Sequence, residues 1–440
     1  MNVSILGTGY VGLVTGLTLA KLGHPTICVD IMEDKIRSIN QGNMPFYEKG
    51  MEGLYKEVSG KGLFKATTDI HSSVLDSDVT FVCVGTPSDA NGEINLDYIQ
   101  SAVIQIGQAM KEKDYHLVVI KSTVVPGTTE ELVVPELGHS SGKWAGDQFG
   151  VCMNPEFLRE GSAVYDSFHP DRIIIGELEP KAGKMLEELY TGLKCPVLHM
   201  DLKTAEMVKY ASNALLATKI SFANEVANLC TIMDIDVDKV MEGVGLDSRI
   251  NPAFLSSGIG FGGSCFPKDV SALLHMEEGK GLKPYLLASV LAVNDQQPKE
   301  ALKLLKTQVK DLQGKTIAVL GLAFKPDTDD IRESRAIPLI KELVSEGVKV
   351  RACDPMAIMN FKSVFPDIEY FTDPKETLEG ADACILHTAW KNILALEPDD
   401  FLTMKRSIII DGRRMLASKR QEFLEKGIIY LAIGLPIGES

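Results

Sequence analysis

Short apolar runs alternate with helix-length segments over the first 200 positions. VSIL, TICVD, VTFVCVG, HLVVIK, FGVCMN, RIIIG and PVLHM each read as a strand. Several are apolar throughout, which predicts strands buried on both faces of a parallel sheet. The segments between them are mostly long enough for crossover helices. From Asp201 to about Met233 the pattern changes, with no Gly or Pro. Val208, Leu215, Phe222, Val226 and Leu229 recur there at helical spacing, and Asp201 can cap the start. One long spine helix is expected, with more helix to about Asn294. A second α/β pattern follows: TIAVLG, a loop, a helix from about Arg335, then VKVRACD. It repeats the order NVSILG, helix, TICVD, and ADACILHTAW echoes SDVTFVCVGTP.

The motif GTGYVG follows the first strand and opens a helix. Gly7 permits a tight turn, Gly9 lets a pyrophosphate approach the backbone, and Gly12 lets the helix pack on the strand. Free N–H groups at the helix N-terminus suit the phosphates. Asp30 ends the next strand, where a carboxylate can bind both ribose hydroxyls and repel a 2′-phosphate, so NAD is expected over NADP. The bland alternative is a turn that needs glycine for packing alone. The second α/β segment keeps only Gly321 of this motif. The fold class is therefore α/β: two Rossmann-like, doubly wound parallel-sheet domains joined by a helical middle domain with a long spine helix. The expected boundaries are 1–200, 201–297 and 298–440.

Charge and composition narrow the partners. The formal net charge is −15, with no lysine or arginine block, which argues against nucleic acid. No run of eighteen apolar residues occurs, so no membrane span is expected. The eight cysteines form no C-x-x-C pair and the histidines show no metal-ligand spacing, so neither a metal site nor a disulfide framework is expected. The scattered thiols and the absence of a signal-peptide pattern point to the cytoplasm.

Five stretches carry candidate chemistry. VGTP and KSTVVPGTT end probable strands, where ligands of open α/β sheets bind, so Thr86 and Thr123 can meet the nicotinamide half of the cofactor. Ordinary turn chemistry explains them equally well. NPEFLREG sets Glu156 and Glu160 four apart, on one face if the segment is helical, as a paired-carboxylate site or a solvated helix start. Lys209 and Asn213 stand one turn apart on the spine helix. A buried lysine there can stabilise an oxyanion, and a snorkelling surface lysine is the alternative. GIGFGGSCFPKD puts Cys265 among glycines, with Pro267 suited to a helix first turn and Lys268 and Asp269 beside it. A cation or helix N-terminus favours the thiolate, and the glycines allow a sugar or phosphate to press on the main chain.

In order, GTGYVG, VGTP, STVVPGTT, NPEFLREG, EMVKYASNA, GLDSRI, GFGGSCFPKD, GLAFKPDTDDIRES and DGRR closely resemble the UDP-glucose/GDP-mannose dehydrogenase family, from Met1 to about Arg414. One departure is EKGME near Glu48, where many members carry E-P-G-L-E. The resemblance implies a four-electron, NAD-dependent oxidation of a sugar C6 alcohol to a carboxylate, with UDP-glucose as the expected substrate. GDP-mannose and a UDP-N-acetylhexosamine are the alternatives.

The resemblance also assigns roles. It makes Cys265 the nucleophile, with a thiohemiacetal and then a thioester, and Lys209 and Asn213 the oxyanion stabilisers. Thr123, Glu156, Glu160 and Asp269 would position water and move protons. It gives Gly7, Gly9, Tyr10, Val11, Gly12, Asp30, Lys35, Thr86, Thr123, Glu160, Lys268 and Arg332 to the cofactor. Glu156, Phe157, Leu158, Lys209, Asn213, Phe254, Gly262, Phe324, Lys325 and one or both of Arg413 and Arg414 go to the substrate. Arg249 would reach the substrate of a neighbouring subunit, which implies a homodimer. A two-electron hydroxy-acid dehydrogenase and a catalytically silent NAD sensor are the rivals from other classes.

Overall fold

The computed structural model describes residues 1–87, 89 and 92–436. The last four positions of the expected C-terminal domain, and Ser88, Ala90 and Asn91 after VGTP, lie outside them. The chain forms two compact units, Met1–Ser212 and Asn213–Ser440.

The first unit is built on eight strands: β1 (Val3–Leu6), β2 (Thr26–Val29), β3 (Phe64–Thr67), β4 (Val79–Val82), β5 (His116–Ile120), β6 (Phe149–Met153), β7 (Ile173–Glu177) and β8 (Val197–Met200). Their order is β3-β2-β1-β4-β5-β6-β7-β8. Order reverses between β1 and β4, which is the crevice where doubly wound sheets bind ligands. The continuous apolar runs serve both faces. In β5, Leu117 and Val119 enter one core while Val118 and Ile120 enter the other, because successive side chains point to opposite sides.

Two details differ from the pattern-based expectation. Strand β3 is absent from it, because FKAT is four residues long with Lys65 exposed and carries little apolar signal. Strand β7 runs antiparallel to β6, whereas every strand was expected to be parallel. Periodicity reports which faces are buried but not which way a strand runs.

Asp201 caps the spine helix, Leu202–Ile232, by accepting from the Thr204 N–H at 2.9 Å and its hydroxyl at 2.6 Å. The division between the two units falls inside this helix. Its buried face carries small residues, Ala205, Ala217, Ala223, Ala227 and Cys230. The larger apolar residues singled out from spacing lie elsewhere: Leu215, Phe222 and Leu229 are 63%, 55% and 56% exposed. Helical spacing identified a stripe but not the face that the chain itself covers.

The second unit continues with helices Val237–Gly245, Phe266–Gly279 and Tyr285–Gln308. Pro298 lies inside the last of these, so the boundary expected at 297/298 cuts a helix. Six strands follow: β9 (Thr316–Leu320), β10 (Lys349–Cys353), β11 (Glu369–Phe371), β12 (Ala383–Leu386), β13 (Ile408–Asp411) and β14 (Ile429–Ala432). All pair in parallel in the order β11-β10-β9-β12-β13-β14. The fold is α/β, with two doubly wound sheets separated along the chain by a helical region.

Candidate active site

In the first unit the glycine loop meets each of its steric demands. Gly7 has φ +97°, and a Cβ there would lie 2.6 Å from the Cys83 carbonyl oxygen. A Cβ on Gly12 would lie 1.9 Å from the Gly7 oxygen, whereas at Gly9 nothing lies within 4 Å. The open backbone at Gly9 is room for a pyrophosphate, at the start of the helix Tyr10–Lys21 whose first turn holds Tyr10 and Val11.

Asp30, at the end of β2, accepts from the Thr8 N–H at 2.9 Å, the Thr8 hydroxyl at 2.6 Å and Lys35 Nζ at 2.9 Å. Burial works against its charge, but these donors outweigh it and hold the carboxyl at about 2. An ionised acid here suits ribose hydroxyls, so the residues fit NAD. Tyr10 donates to Glu48 Oε2 at 2.5 Å, and the Gly161 N–H donates to the same oxygen at 2.8 Å. The EKGME departure therefore lies in a loop whose buried Glu48 ties the nucleotide helix to the loop after β6.

Residues 154–161 form an irregular loop, so Glu156 and Glu160 do not share a helix face. Pro155 disfavours helix at Asn154, and Glu156 Oε2 accepts the Leu158 N–H at 2.6 Å, which competes with a helical ladder. Glu160 is half-buried and Glu156 is buried. Lys209 Nζ reaches Glu156 at 2.7 Å to Oε1 and 2.6 Å to its carbonyl oxygen. Burial opposes the charge on Glu156, but the Lys209 ammonium and these hydrogen bonds hold its carboxyl below the usual range. Phe157, Leu158 and Glu156 line a cavity of about 250 Å³ together with Lys121, Asn154 and Tyr190. Between the loops after β4 and β5, the Thr86 hydroxyl donates to the Thr123 carbonyl at 2.9 Å.

Two residues here escaped pattern reading. Glu206, buried on the spine helix, accepts from Gly127 N–H at 2.6 Å, Thr129 N–H at 2.8 Å and Thr129 hydroxyl at 2.6 Å, anchoring the loop that carries Thr123. Its only sequence signal is an acid three residues before Lys209, on the same helix face. Lys121 looked like the polar end of an apolar strand, yet it is buried.

In the second unit, Cys265 is the N-cap of the helix Phe266–Gly279, with Pro267 in its first turn. It is exposed, whereas Cys28, Cys83, Cys152, Cys230, Cys353 and Cys384 are buried, and burial raises the thiol pKa of each of those six. A sulfur at a helix N-terminus is favoured as thiolate. Asp269, one turn on, is buried between Lys268 Nζ at 2.7 Å and Asn213 Nδ2 at 2.6 Å.

The glycines before the thiol are needed by the protein itself. A Cβ on Gly260 (φ +98°) would lie 2.7 Å from Asn294 Oδ1, and one on Gly262 would lie 2.3 Å from the Glu333 carbonyl oxygen. Gly263 has φ +85° and would meet the Phe324 ring at 2.8 Å. These close neighbours are other parts of the chain.

The remaining cations differ in commitment. Arg413 donates to the Gly260 oxygen at 3.0 Å and the His387 oxygen at 3.2 Å, steadying the thiol loop. Arg414 is tied to Asp238 at 2.9 Å and Ser257 Oγ at 2.8 Å. Lys325 lies over the Phe324 ring, 5.4 Å from its centroid. Arg332 forks onto Asp330, and its carbonyl accepts the Gly263 N–H at 2.9 Å. Phe254 (φ +66°) stands edge-on to Phe266, beside Cys265. Arg249 is exposed and forked onto Asp247.

Three models of one family match the chain. The NAD binding domain of the UDP-glucose/GDP-mannose dehydrogenase family covers residues 1–194, its central domain 203–296 and its UDP binding domain 318–418. A UDP-glucose 6-dehydrogenase of Haloferax volcanii is 45% identical over 425 residues, 95% of this chain and 98% of that one. One of Bacillus subtilis is 41% identical over 437 residues, 99% of this chain and 93% of that one. The solved UDP-glucose dehydrogenase of Pyrobaculum islandicum superposes with a TM-score of 0.92 at 39% identity, covering 99% and 98% of the two chains.

Proposed function

This chain belongs to the UDP-glucose/GDP-mannose dehydrogenase family and is an NAD-dependent dehydrogenase; from that footing we propose that it oxidises the C6 alcohol of UDP-glucose to the carboxylate of UDP-glucuronate through a covalent adduct on Cys265. The observation that carries the covalent route is the exposed thiol at a helix N-terminus, in a chain whose other thiols are mostly buried. UDP-glucose is favoured over GDP-mannose by the relatives of Haloferax volcanii and Bacillus subtilis, both UDP-glucose 6-dehydrogenases. We assign residues 1–200 to NAD, 201–297 to dimerisation and 298–440 to the nucleotide-sugar.

NAD supplies the hydride acceptor, one molecule for each two-electron oxidation. Gly9 and Asp30 would hold its phosphates and ribose. The Cys265 thiolate adds to the C6 aldehyde carbon, and a C–S bond forms as the carbonyl oxygen gains the electron pair. Lys209 and Asn213 stabilise that oxygen. The second oxidation leaves a thioester. Water then attacks the acyl carbon, the C–S bond breaks, and the thiolate leaves with its electron pair. Glu156, held ionised, takes the proton from that water. In sum, one alcohol, two NAD and one water give one carboxylate, two NADH and three protons.

Cys265→Ala should bind UDP-glucose and NAD yet form UDP-glucuronate more slowly by about a hundredfold or more. Near-normal carboxylate formation by that variant removes the covalent route, and a yield of one NADH per sugar favours a two-electron dehydrogenase.

The homodimer rests on the exposed stripe Leu215, Phe222 and Leu229 at seven-residue intervals along the spine helix. Light scattering should give twice the 48.0 kDa chain mass, and Phe222→Asp should give one chain. A wild type of single-chain mass would overturn the dimer. Among the described residues no helix is long and apolar enough to cross a membrane, and a reducing compartment such as the cytoplasm suits the free cysteines.

A further inference from the structure

Lys121 follows the last residue of β5 and is buried. Its ammonium donates to Asn154 Oδ1 at 2.9 Å and to the Asn154 carbonyl oxygen at 3.4 Å. Asn154 is itself fixed. Its N–H donates to the Ile120 oxygen at 2.8 Å, its Nδ2 to the Ile174 oxygen at 2.8 Å, and Tyr190 donates to its Oδ1 at 2.5 Å. Lys121 thus grips a rigid point two residues before Glu156, and both side chains line the same cavity.

A buried ammonium whose hydrogen-bond partners are neutral amide oxygens is expensive. Burial presses its pKa down to about 8, against the pull of Cys83 and Glu156 and with the push of Lys209. Those are the ionisable groups that face it, from the end of β4, the loop after β6 and the spine helix. Cys83 is held as a neutral thiol, pushed up to about 12 by burial. Tyr190, behind Asn154, is likewise kept protonated by burial. Of the three, Glu156 is the anion on which the Lys121 charge acts.

Among the described residues, Lys209 is the cation in direct contact with Glu156. The proposed chemistry asks Lys209 to serve the substrate oxygen, which would leave Glu156 a buried anion with its partner engaged elsewhere. We propose that Lys121 is a positioning residue for the reaction: clamped to Asn154, it fixes the loop that carries Glu156 and supplies a second positive charge that keeps Glu156 an anion while Lys209 attends to the substrate. The inference rests on the reading of Glu156 as the base of a UDP-glucose oxidation.

The test is the pH dependence of kcat for UDP-glucose oxidation in the full-length enzyme, with NADH counted per sugar in the same assays. Removing a nearby cation raises a carboxyl pKa, so the acid limb of Lys121→Met should move up by about one pH unit, roughly a tenfold loss of kcat below the limb. The loss should shrink at higher pH. Lys121→Arg keeps the charge and should restore the wild-type limb. Asn154→Asp sets a carboxylate against Lys121 and should move the limb upward with the lysine retained, so the arginine and aspartate variants decide the matter even if Lys121→Met does not fold. A uniform loss at every pH, an unmoved limb in Asn154→Asp, or a moved limb in Lys121→Arg overturns the role while the UDP-glucose reading stands. A wild type that turns over no UDP-glucose overturns both.

Discussion

The two sheets share the order of their first six strands and a first turn, yet treat the same carboxylate in opposite ways. Gly7 N–H donates to the Val29 oxygen at 2.8 Å, and Gly321 N–H donates to the Cys353 oxygen at 2.7 Å. Both glycines have φ +97°. Asp30 and Asp354 follow the second strand of each sheet. Asp30 is half-buried, with Thr8 and Lys35 as its main partners. Asp354 is fully buried, and the chain supplies its donors: the N–H groups of Leu322, Ala323, Met356 and Ala357 and the Trp390 indole, all within 3.0 Å. One topology has left the carboxylate half-buried at the sheet edge in the first sheet, where we propose it reads the ribose, and made it an internal brace in the second. Ala323 also stands where the first sheet has Gly9, so the second turn lacks the open backbone that a pyrophosphate needs. Sites, rather than folds, carry the function.

The largest effect should come from removing the brace. Asp354→Ala leaves buried N–H groups unpaired and should cost about 3 kcal/mol or more in thermal or denaturant unfolding. Asp30→Ala should cost less, about 2 kcal/mol, and weaken NAD binding about tenfold, measured by calorimetry. Equal melting of the two variants would break the contrast. A smaller effect separates the glycines. Gly321→Ala places a Cβ 2.4 Å from Thr388 Cβ at positive φ and should destabilise by about 2 kcal/mol. Gly9→Ala meets nothing in the protein, so its stability should stay within about 0.5 kcal/mol while NAD affinity falls. Unchanged NAD affinity in Gly9→Ala would remove the pyrophosphate from that spot.

Much of the fold was legible in the chain because buried parallel strands are apolar throughout and a helix without Gly or Pro runs on. The strand FKAT was not legible, because four residues with one exposed lysine carry too little signal. Nor was the antiparallel turn-about at β7, since both directions bury the same side chains. Within the site, the glycine loop, Asp30 and the setting of Cys265 were readable as local motifs. The pairing of Lys209 with Glu156 was not, because the two are far apart in sequence and the NPEFLREG stretch proved to be a loop. The stripe Leu215, Phe222 and Leu229 was seen as periodic, but periodicity does not say what covers a face.

The amino-acid order alone determined the alternation of strands and helices, the glycine turn before the first helix and a thiol in a glycine-rich, charged setting, since each depends on neighbours within a few residues. Tertiary structure alone decided that Lys209 pairs with Glu156, which aspartate stays half-buried and which braces a loop, and that Lys121 is interior. Those outcomes depend on burial and on charges brought together by distant segments, and no local pattern encodes them.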